Sequence, residues 1–316
     1  MKTYIPENAF LIIAGPTGTG KSSVAVELCK ILPGEIINID SRQIYKEITV
    51  GIAKPTAMMM KQVPHHLYGF ISLKERFTVF DYRQYIEKVV SEIWSRGKTA
   101  IAVGGSGFYI RAILKGIFDL PDETKSFQND IRRHLSNKET SKLYNTLKGV
   151  DPVLAERIHP NDRFRVIRGL EIWLTTGIPM SQWQKQAKPA GFISRAFVKY
   201  WVMNLPRDVL YNQLDTRTET MLKSGWVNEV KTLIQTGFQQ YLAEKAPIGY
   251  MELCDFINGK ISWKETVETI KRKTRNYARQ QVSWFKREKA EWVDALNSSP
   301  QEIAMQLYAS LLKSEK

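Results

Sequence analysis

The chain has 316 residues, 43% hydrophobic and 25% charged, a balance that supports about two packed domains and excludes disordered and low-complexity classes. Its 46 Lys and Arg against 32 Asp and Glu leave a formal charge of +14, which favours a polyanionic partner. The longest apolar candidate, Ala9 to Ala14, is far short of the roughly 18 residues of a membrane span, and the opening MKTYIPENAF lacks a charged-then-apolar leader, so the chain is expected to stay inside the cell.

In chain order, FLIIA (Phe10 to Ala14) is an apolar run of strand length, GPTGTGKS (Gly15 to Ser22) is a glycine loop, and SVAVELCKIL has a helical pattern closed by Pro33 and Gly34. EIINID (Glu35 to Asp40) reads as a short parallel strand covered on both faces. A polar stretch from Ser41 to Thr78 leads to an amphipathic helix, DYRQYIEKVVSEIWSRG, and then to a third strand, TAIAV (Thr99 to Val103), stopped by GGSG. Alternating strands and helices imply right-handed crossovers and a parallel sheet. From Pro121 the texture turns polar and helical, with no strand-like run before AFVKYWVMNL (Ala196 to Leu205). Residues 121–195 therefore read as an inserted helical subdomain, and 1–120 with 196–316 as the core, with a last strand at EWVDAL (Glu291 to Leu296). The expected class is α/β: a P-loop NTPase-like core with a parallel sheet flanked by helices, plus an all-helical insert.

Gly15, Pro16, Thr17, Gly18, Thr19, Gly20, Lys21 and Ser22 fit G-x-x-x-x-G-K-[ST] in the strand-to-helix context that the motif requires. Glycines let successive N–H groups converge on phosphate oxygens at a helix N-terminus, where the aligned peptide dipoles also favour negative charge. Lys21 adds a full charge, and the Ser22 hydroxyl suits Mg²⁺ bridging two phosphoryl groups. The loop specifies a ligand with two or more phosphates and leaves open which group is transferred.

Asp40 closes the second strand, and in an open parallel sheet the carboxyl ends of the strands face the ligand crevice. Position alone leaves it as a general base for an acceptor nucleophile, a cap for the following turn, or a magnesium ligand through water. Ser41, Arg42 and Gln43 supply a hydroxyl, a planar cation and an amide, which suits a base edge or a phosphate. Gly104 to Gly107 should sit on the same edge. His65 and His66 are adjacent, lack a ligand-spaced third partner and argue against a metal centre. Cys29 and Cys254 have no CxxC or histidine partners and read as inert core thiols.

From Lys271 to Lys289 there are eight basic residues against one acid, Glu288, a local charge of +7. On a helix, Arg272, Arg275, Arg279 and Lys286 fall within roughly 60° of one another, with Ile270, Tyr277 and Trp284 on the opposite, packing side. Arg165 and Arg168 lie three apart on a second helix whose Val166, Leu170 and Trp173 make a core stripe. Two basic surfaces distant in sequence suit a large folded polyanion.

These residues converge on a family resemblance. GPTGTGKS, the IDSRQIY run at Asp40, VGIAKPT, PHHL, VGGSGFY, DP…RIHPND followed by RVIRGLEI, ML..G...EV..L, IGYMEL and RQQVSWFKR occur in the order and spacing of bacterial tRNA dimethylallyltransferases, and the chain resembles that family over nearly its whole length. The resemblance implies transfer of a dimethylallyl group from dimethylallyl diphosphate to N6 of the adenosine at tRNA position 37, next to the anticodon, with Mg²⁺ and release of pyrophosphate. It implies Asp40 as general base, with Lys21, Ser106 and Arg217 at the reacting centre, and Thr17 and Thr19 at the donor. It implies tRNA contacts from Asp40, Ser41, Arg42 and Gln43, from Phe164, Arg165, Val166, Ile167 and Arg168, and from Arg275, Arg279, Gln280, Gln281, Trp284 and Lys286. Ser106 stands where the family usually has Thr, which keeps the hydroxyl; Pro247 and Met251 flank Ile248-Gly249-Tyr250 where small and basic residues are usual. The zinc finger of eukaryotic members is not in this sequence, which favours a bacterial cytoplasmic protein; a monomer without membrane attachment is the separate expectation. The competing readings are an adenylate isopentenyltransferase acting on free AMP or ATP, a P-loop kinase or ATPase, and a basic RNA-binding module with a vestigial loop.

Overall fold

The computed structural model describes residues 6–120, 125–245 and 247–313. Six strands, β1 (Ala9–Ala14), β2 (Gly34–Asn38), β3 (His65–His66), β4 (Thr99–Gly104), β5 (Phe197–Asn204) and β6 (Glu291–Asp294), form one sheet in the order β3-β2-β4-β1-β5-β6. Every pairing is parallel, so all six carboxyl ends lie on one edge. The helices are α1 (Lys21–Ile31), α2 (Ala57–Gln62), α3 (Val79–Ser95), α4 (Gly107–Leu114), α5 (Lys125–Ser136), α6 (Thr140–Val150), α7 (Pro152–Arg157), α8 (Arg163–Thr176), α9 (Met180–Lys185), α10 (Arg207–Lys223), α11 (Trp226–Gln235), α12 (Gln239–Lys245), α13 (Tyr250–Ile257), α14 (Trp263–Phe285) and α15 (Pro300–Lys313).

The chain divides into two compact units, one holding the described residues up to Ile110 and from Gly191 onward, the other Arg111–Ala190. The sequence reading set the insert at 121–195, but helix α4 carries the chain across the first boundary, and a polar texture change does not mark where a helix begins. Pro121 lies outside the described residues, as do the first five.

In the first unit β1 is wholly buried, because α1 and α15 cover one face of the central strands with Val24, Leu28, Ile303 and Leu307. Helix α3 shows how local sequence fixes an element. Thr78 and Asp81 form a capping box at its start, and Tyr82, Ile86, Val90 and Ile93 repeat at helical spacing to give its buried stripe. Strand β3 escapes a reading based on periodicity, since two residues carry no period. It pairs His65 and His66 with Ile36 and Ile37 at the sheet edge. His66 Nε2 meets Glu35 Oε2 at 2.6 Å and His65 Nδ1 meets the Val63 carbonyl at 2.7 Å, so both rings serve the edge strand. Burial pushes the Glu35 carboxyl up, but bonds from Arg96, Lys98 and His66 outweigh it and hold it down at about 2.

The second unit packs α5 to α9 around Leu135, Leu143, Leu147, Leu154, Val166 and Leu170. Glu171, fully buried, accepts from Arg132 at 3.0 and 3.1 Å and pairs with Arg168, which compensates a carboxylate deep in the unit. Cys29 is half-buried, Cys254 is buried and both are free thiols; burial raises both, Cys29 to about 12, which keeps them unreactive at neutral pH. Among the described residues no helix is long and apolar enough to cross a membrane.

Candidate active site

Strand order sets the site. Strand β4 runs between β1 and β2, with Ala14 beside Gly104 and Asn38 beside Val103, so the turn after β4 separates the glycine loop from Asp40. Gly15, Gly18 and Gly20 take positive φ values of 144, 89 and 81°, and Gly20 leads into α1. Thr19 Oγ1 donates to the Pro16 carbonyl at 3.0 Å and Lys21 Nζ to the same oxygen at 2.7 Å. Helix α10 passes against this loop: Leu214 fills the space beside Gly18, and Arg217 Nη1 donates to Thr17 Oγ1 at 3.2 Å.

Asp40 lies two residues past β2, and its loop is held by groups spent on that task alone. Buried Asn38 accepts from the Asp40 N–H at 2.8 Å and donates to the carbonyls of Asp40 at 3.0 Å and Leu67 at 2.9 Å; its own carbonyl takes the Tyr82 hydroxyl at 2.7 Å. Asp40 Oδ1 accepts the Arg42 N–H at 2.8 Å, so one carboxylate oxygen caps the turn and the other is not needed for it. Ser106 Oγ accepts the Ser41 N–H at 2.9 Å, which ties the β4 turn to the Asp40 loop. Gly104 permits this approach, since a Cβ there would sit 2.6 Å from the Ile39 carbonyl carbon.

The charges converge. Lys21 is pushed down to about 7, first by loss of water around its ammonium and then by Arg217, with Asp40 opposing. Arg217 is lowered by burial and supported by Asp40. Two cations that repel each other beside one carboxylate are prepared for an added anion, which would relieve the repulsion. The negative charge of Asp40 reaches four phenols: Tyr68, Tyr82, Tyr109 and Tyr277 are each raised first by loss of water around the hydroxyl and further by that charge, although the Tyr277 side chain as a whole stays part exposed, and the Tyr82 and Tyr109 rings lie 4.2 Å apart.

Several expected RNA contacts are otherwise engaged. Arg42 Nη1 donates to the Lys245 carbonyl at 2.5 Å, and Gln43 Nε2 to those of Ile52 and Ala53 at 2.9 and 3.1 Å. On α14 and at its C-terminal cap, Arg272, Arg279, Gln280 and Lys286 are exposed, but Arg275 pairs with Asp215 at 2.5 Å, Lys271 with Glu219 at 2.6 Å and Lys273 with Glu252 at 2.5 Å. The packing face is Ile270, Ala278, Gln281 and Phe285, so Tyr277, 39% exposed, is not a core residue as its helical position suggested. Trp284 lies against Gly107, and Gln281 is buried with both amide atoms bonded inside the protein. In the second unit Phe164 is 76% exposed and Arg165 pairs with Asp162. Val166 and Ile167 are core residues, because a continuous run of five on a helix cannot present one face.

Sequence reasoning missed Asn38 and the tyrosines. An asparagine inside an otherwise apolar strand was the available signal for the first, since a buried amide must find partners. It also missed Glu229, which accepts the N–H groups of Thr49 at 2.8 Å and Val50 at 2.9 Å and the Tyr250 hydroxyl at 2.6 Å. That carboxylate joins the VGIAKPT, EV and IGY motifs into one structural clamp.

A glycine loop of the phosphate-binding pattern, two crowded cations and a carboxylate set one strand away define a P-loop α/β protein. The profile of the family described as IPP transferase matches residues 43–288. The chain is 40% identical over 285 residues to tRNA dimethylallyltransferase 1 of Trichlorobacter lovleyi, covering 90% of this chain and 92% of that one. It is 36% identical over 311 residues to the tRNA dimethylallyltransferase of Petrotoga mobilis, covering 96% and 100%. The solved full-length tRNA isopentenylpyrophosphate transferase of Bacillus halodurans superposes with a TM-score of 0.70 at 31% identity, with 98% of each chain covered. A eukaryotic dimethylallyltransferase solved acting on tRNA superposes with a TM-score of 0.77 at 27% identity, covering 98% of this chain and 80% of that one. The chain belongs to the tRNA dimethylallyltransferase family.

Proposed function

We propose that the chain transfers the dimethylallyl group of dimethylallyl diphosphate to N6 of the adenosine at tRNA position 37, next to the anticodon. The observation that carries this reading is the single sheet edge on which the glycine loop, Lys21, Arg217 and Asp40 meet. The allylic C–O bond breaks with its electron pair leaving on pyrophosphate, the N6 lone pair forms the new C–N bond, and the N6 proton passes to Asp40. Charge grows on the leaving diphosphate as the bond breaks, and the loop N–H groups, Lys21 and Arg217 stabilise that growth more than the ground state. The exocyclic amine is a weak nucleophile because its lone pair is delocalised, so removing its proton in the transition state raises the rate. Ser106 acts through Ser41, fixing the loop that aims Asp40.

Magnesium fits the donor set: the Ser22 hydroxyl, half-buried in the first turn of α1, is a hard oxygen ligand that would share the ion with diphosphate oxygens. Bound there it would neutralise charge on the leaving group. Each unit offers its own RNA contacts in this reading: the first unit the exposed face of α14, with Arg272, Arg279 and the capping Lys286, and the second unit Phe164 and Arg165. A single-stranded anticodon loop suits the pocket, since the target base must leave its stack and unstacking costs least there.

Incubation with radiolabelled dimethylallyl diphosphate and either tRNA or AMP, with ATP hydrolysis followed in parallel, tests the reading. Label in tRNA is expected; label in AMP alone, or ATP turnover without prenyl transfer, overturns it.

A further inference from the structure

Gln281 sits in the last quarter of α14, on its buried face, and is 6% exposed. Its Oε1 accepts the N–H of Thr17 at 2.9 Å, and its Nε2 donates to the carbonyl of Gly105 at 2.9 Å. One side-chain amide thus joins the glycine loop after β1 to the glycine turn after β4. Thr17 is held at both ends, by Gln281 on its backbone and by Arg217 on its hydroxyl at 3.2 Å. Gly105 has no side chain where a Cβ would overlap the Gln281 amide and approach the Gly15 carbonyl to 3.1 Å. Four helix residues away lies Tyr277, which feels Asp40 and Arg42, and three residues on lies Trp284, packed on Gly107. The inner face of the basic helix is therefore a wall of the crevice, and its outer face carries the exposed cations.

We propose that Gln281 is a positioning residue of the donor site: by holding Thr17 to the β4 turn it keeps the glycine loop shaped for a diphosphate, and it does not read RNA. Both polar atoms are already engaged, and a residue this buried offers no edge to a base. The task needs an acceptor and a donor on one neutral planar group of this reach, which the glutamine amide supplies at every working pH. Losing it strands a part-buried N–H and a buried carbonyl at once. The inference rests on the glycine loop being the donor site.

The test compares wild type, Gln281→Ala and Gln281→Glu by calorimetry with magnesium pyrophosphate and, separately, with an anticodon stem-loop RNA. Gln281→Ala is expected to weaken pyrophosphate binding about tenfold or more while RNA affinity stays within about twofold. Gln281→Glu keeps the shape and carries the test if the alanine variant does not fold. Its carboxylate opposes the Gly105 carbonyl at pH 8, whereas the protonated acid restores both bonds, so its pyrophosphate Kd relative to wild type should fall towards one between pH 8 and pH 5.5. Weakened RNA binding with unchanged pyrophosphate binding overturns the proposal, as does a Glu-to-wild-type ratio indifferent to pH. Failure of wild type itself to bind pyrophosphate would instead overturn the reading of the donor site.

Discussion

Asp40→Asn separates the chemical part of the mechanism from the binding part. The substitution keeps an oxygen where Oδ1 accepts the Arg42 N–H at 2.8 Å, and leaves the Asn38 and Ser106 bonds to the loop backbone untouched, so the turn should survive. Folding stability should therefore move by no more than about 0.5 kcal/mol. What disappears is a proton acceptor and one negative charge beside Lys21 and Arg217. Loss of a general base costs roughly 10² to 10⁴ in rate, equivalent to about 2.7 to 5.5 kcal/mol in the barrier. Loss of the charge acts in the opposite direction on the donor, because the carboxylate repels a diphosphate, so donor affinity should hold or rise. The assay is single turnover with enzyme in excess, which isolates chemistry from product release, alongside equilibrium binding of a non-hydrolysable thiolo-analogue of the donor. A slower chemical step with donor binding retained is expected. An unchanged single-turnover rate removes Asp40 from the mechanism, and a weakened donor affinity shows that its charge serves the loop instead.

Replacing Arg279 and Lys286 together by alanine should weaken RNA binding and make the plot of log K against log salt shallower by about 1.4 to 1.8, the counterions released by two phosphate contacts. Arg275→Ala should change that slope less, because Asp215 already holds its guanidinium. Lys21, lowered to about 7, is mostly neutral at pH 8 in the free protein, and an arriving diphosphate restores its charge. Calorimetry of the donor analogue in buffers of different ionisation enthalpy should show close to one proton taken up at pH 8 and little at pH 6, and no uptake at pH 8 in Lys21→Met. Glu35, held at about 2 against an ordinary 4.5, contributes stability that is complete above about pH 4.5 and is lost as pH falls towards 2. Glu35→Gln should flatten acid unfolding across that window, measured by circular dichroism.

The sequence carries the fold well where apolar runs are long. FLIIA, TAIAV and the AFVKYWVMNL run each became a strand within one residue at each end, because a strand between two helical layers must be apolar on both faces. Strand β3 was hidden because its pairing is set by Ile36 and Ile37 and the Glu35 carboxylate, all some thirty residues earlier. Charge was harder. The +7 of residues 271–289 counts only acids inside that window, whereas Asp215, Glu219 and Glu252 come from α10 and α13 and neutralise three of the eight cations. The direction of the exposed face was legible from the helical period; its density of free charge was not. Motif strings mislead in the same manner. The family resemblance implies RFRVIR and RQQVSWFK as continuous RNA contacts, but a helix turns 100° per residue and sends Ile167 and Gln281 inward, as it does Val166, which the helical period had already placed in the core stripe.

The glycines of the β4 turn follow from strand order, which no local pattern announces. Neighbouring strands lie about 4.8 Å apart, so with β4 between them the donor loop and Asp40 are separated by about 10 Å at the backbone. Were β1 and β2 adjacent, about half that distance would remain, too little for a five-carbon group and a base edge between a phosphate cradle and a carboxylate. The intervening strand opens the gap, but it also delivers its own turn into the middle of it. Gly104 lies against the Ile39 and Asp40 backbone and Gly105 against Gly15 and Gln281, so any side chain there would fill the space the strand had created. The one side chain the turn does bring in, Ser106, reaches sideways to the Ser41 backbone, and so braces the acid loop without entering the line between donor and acceptor.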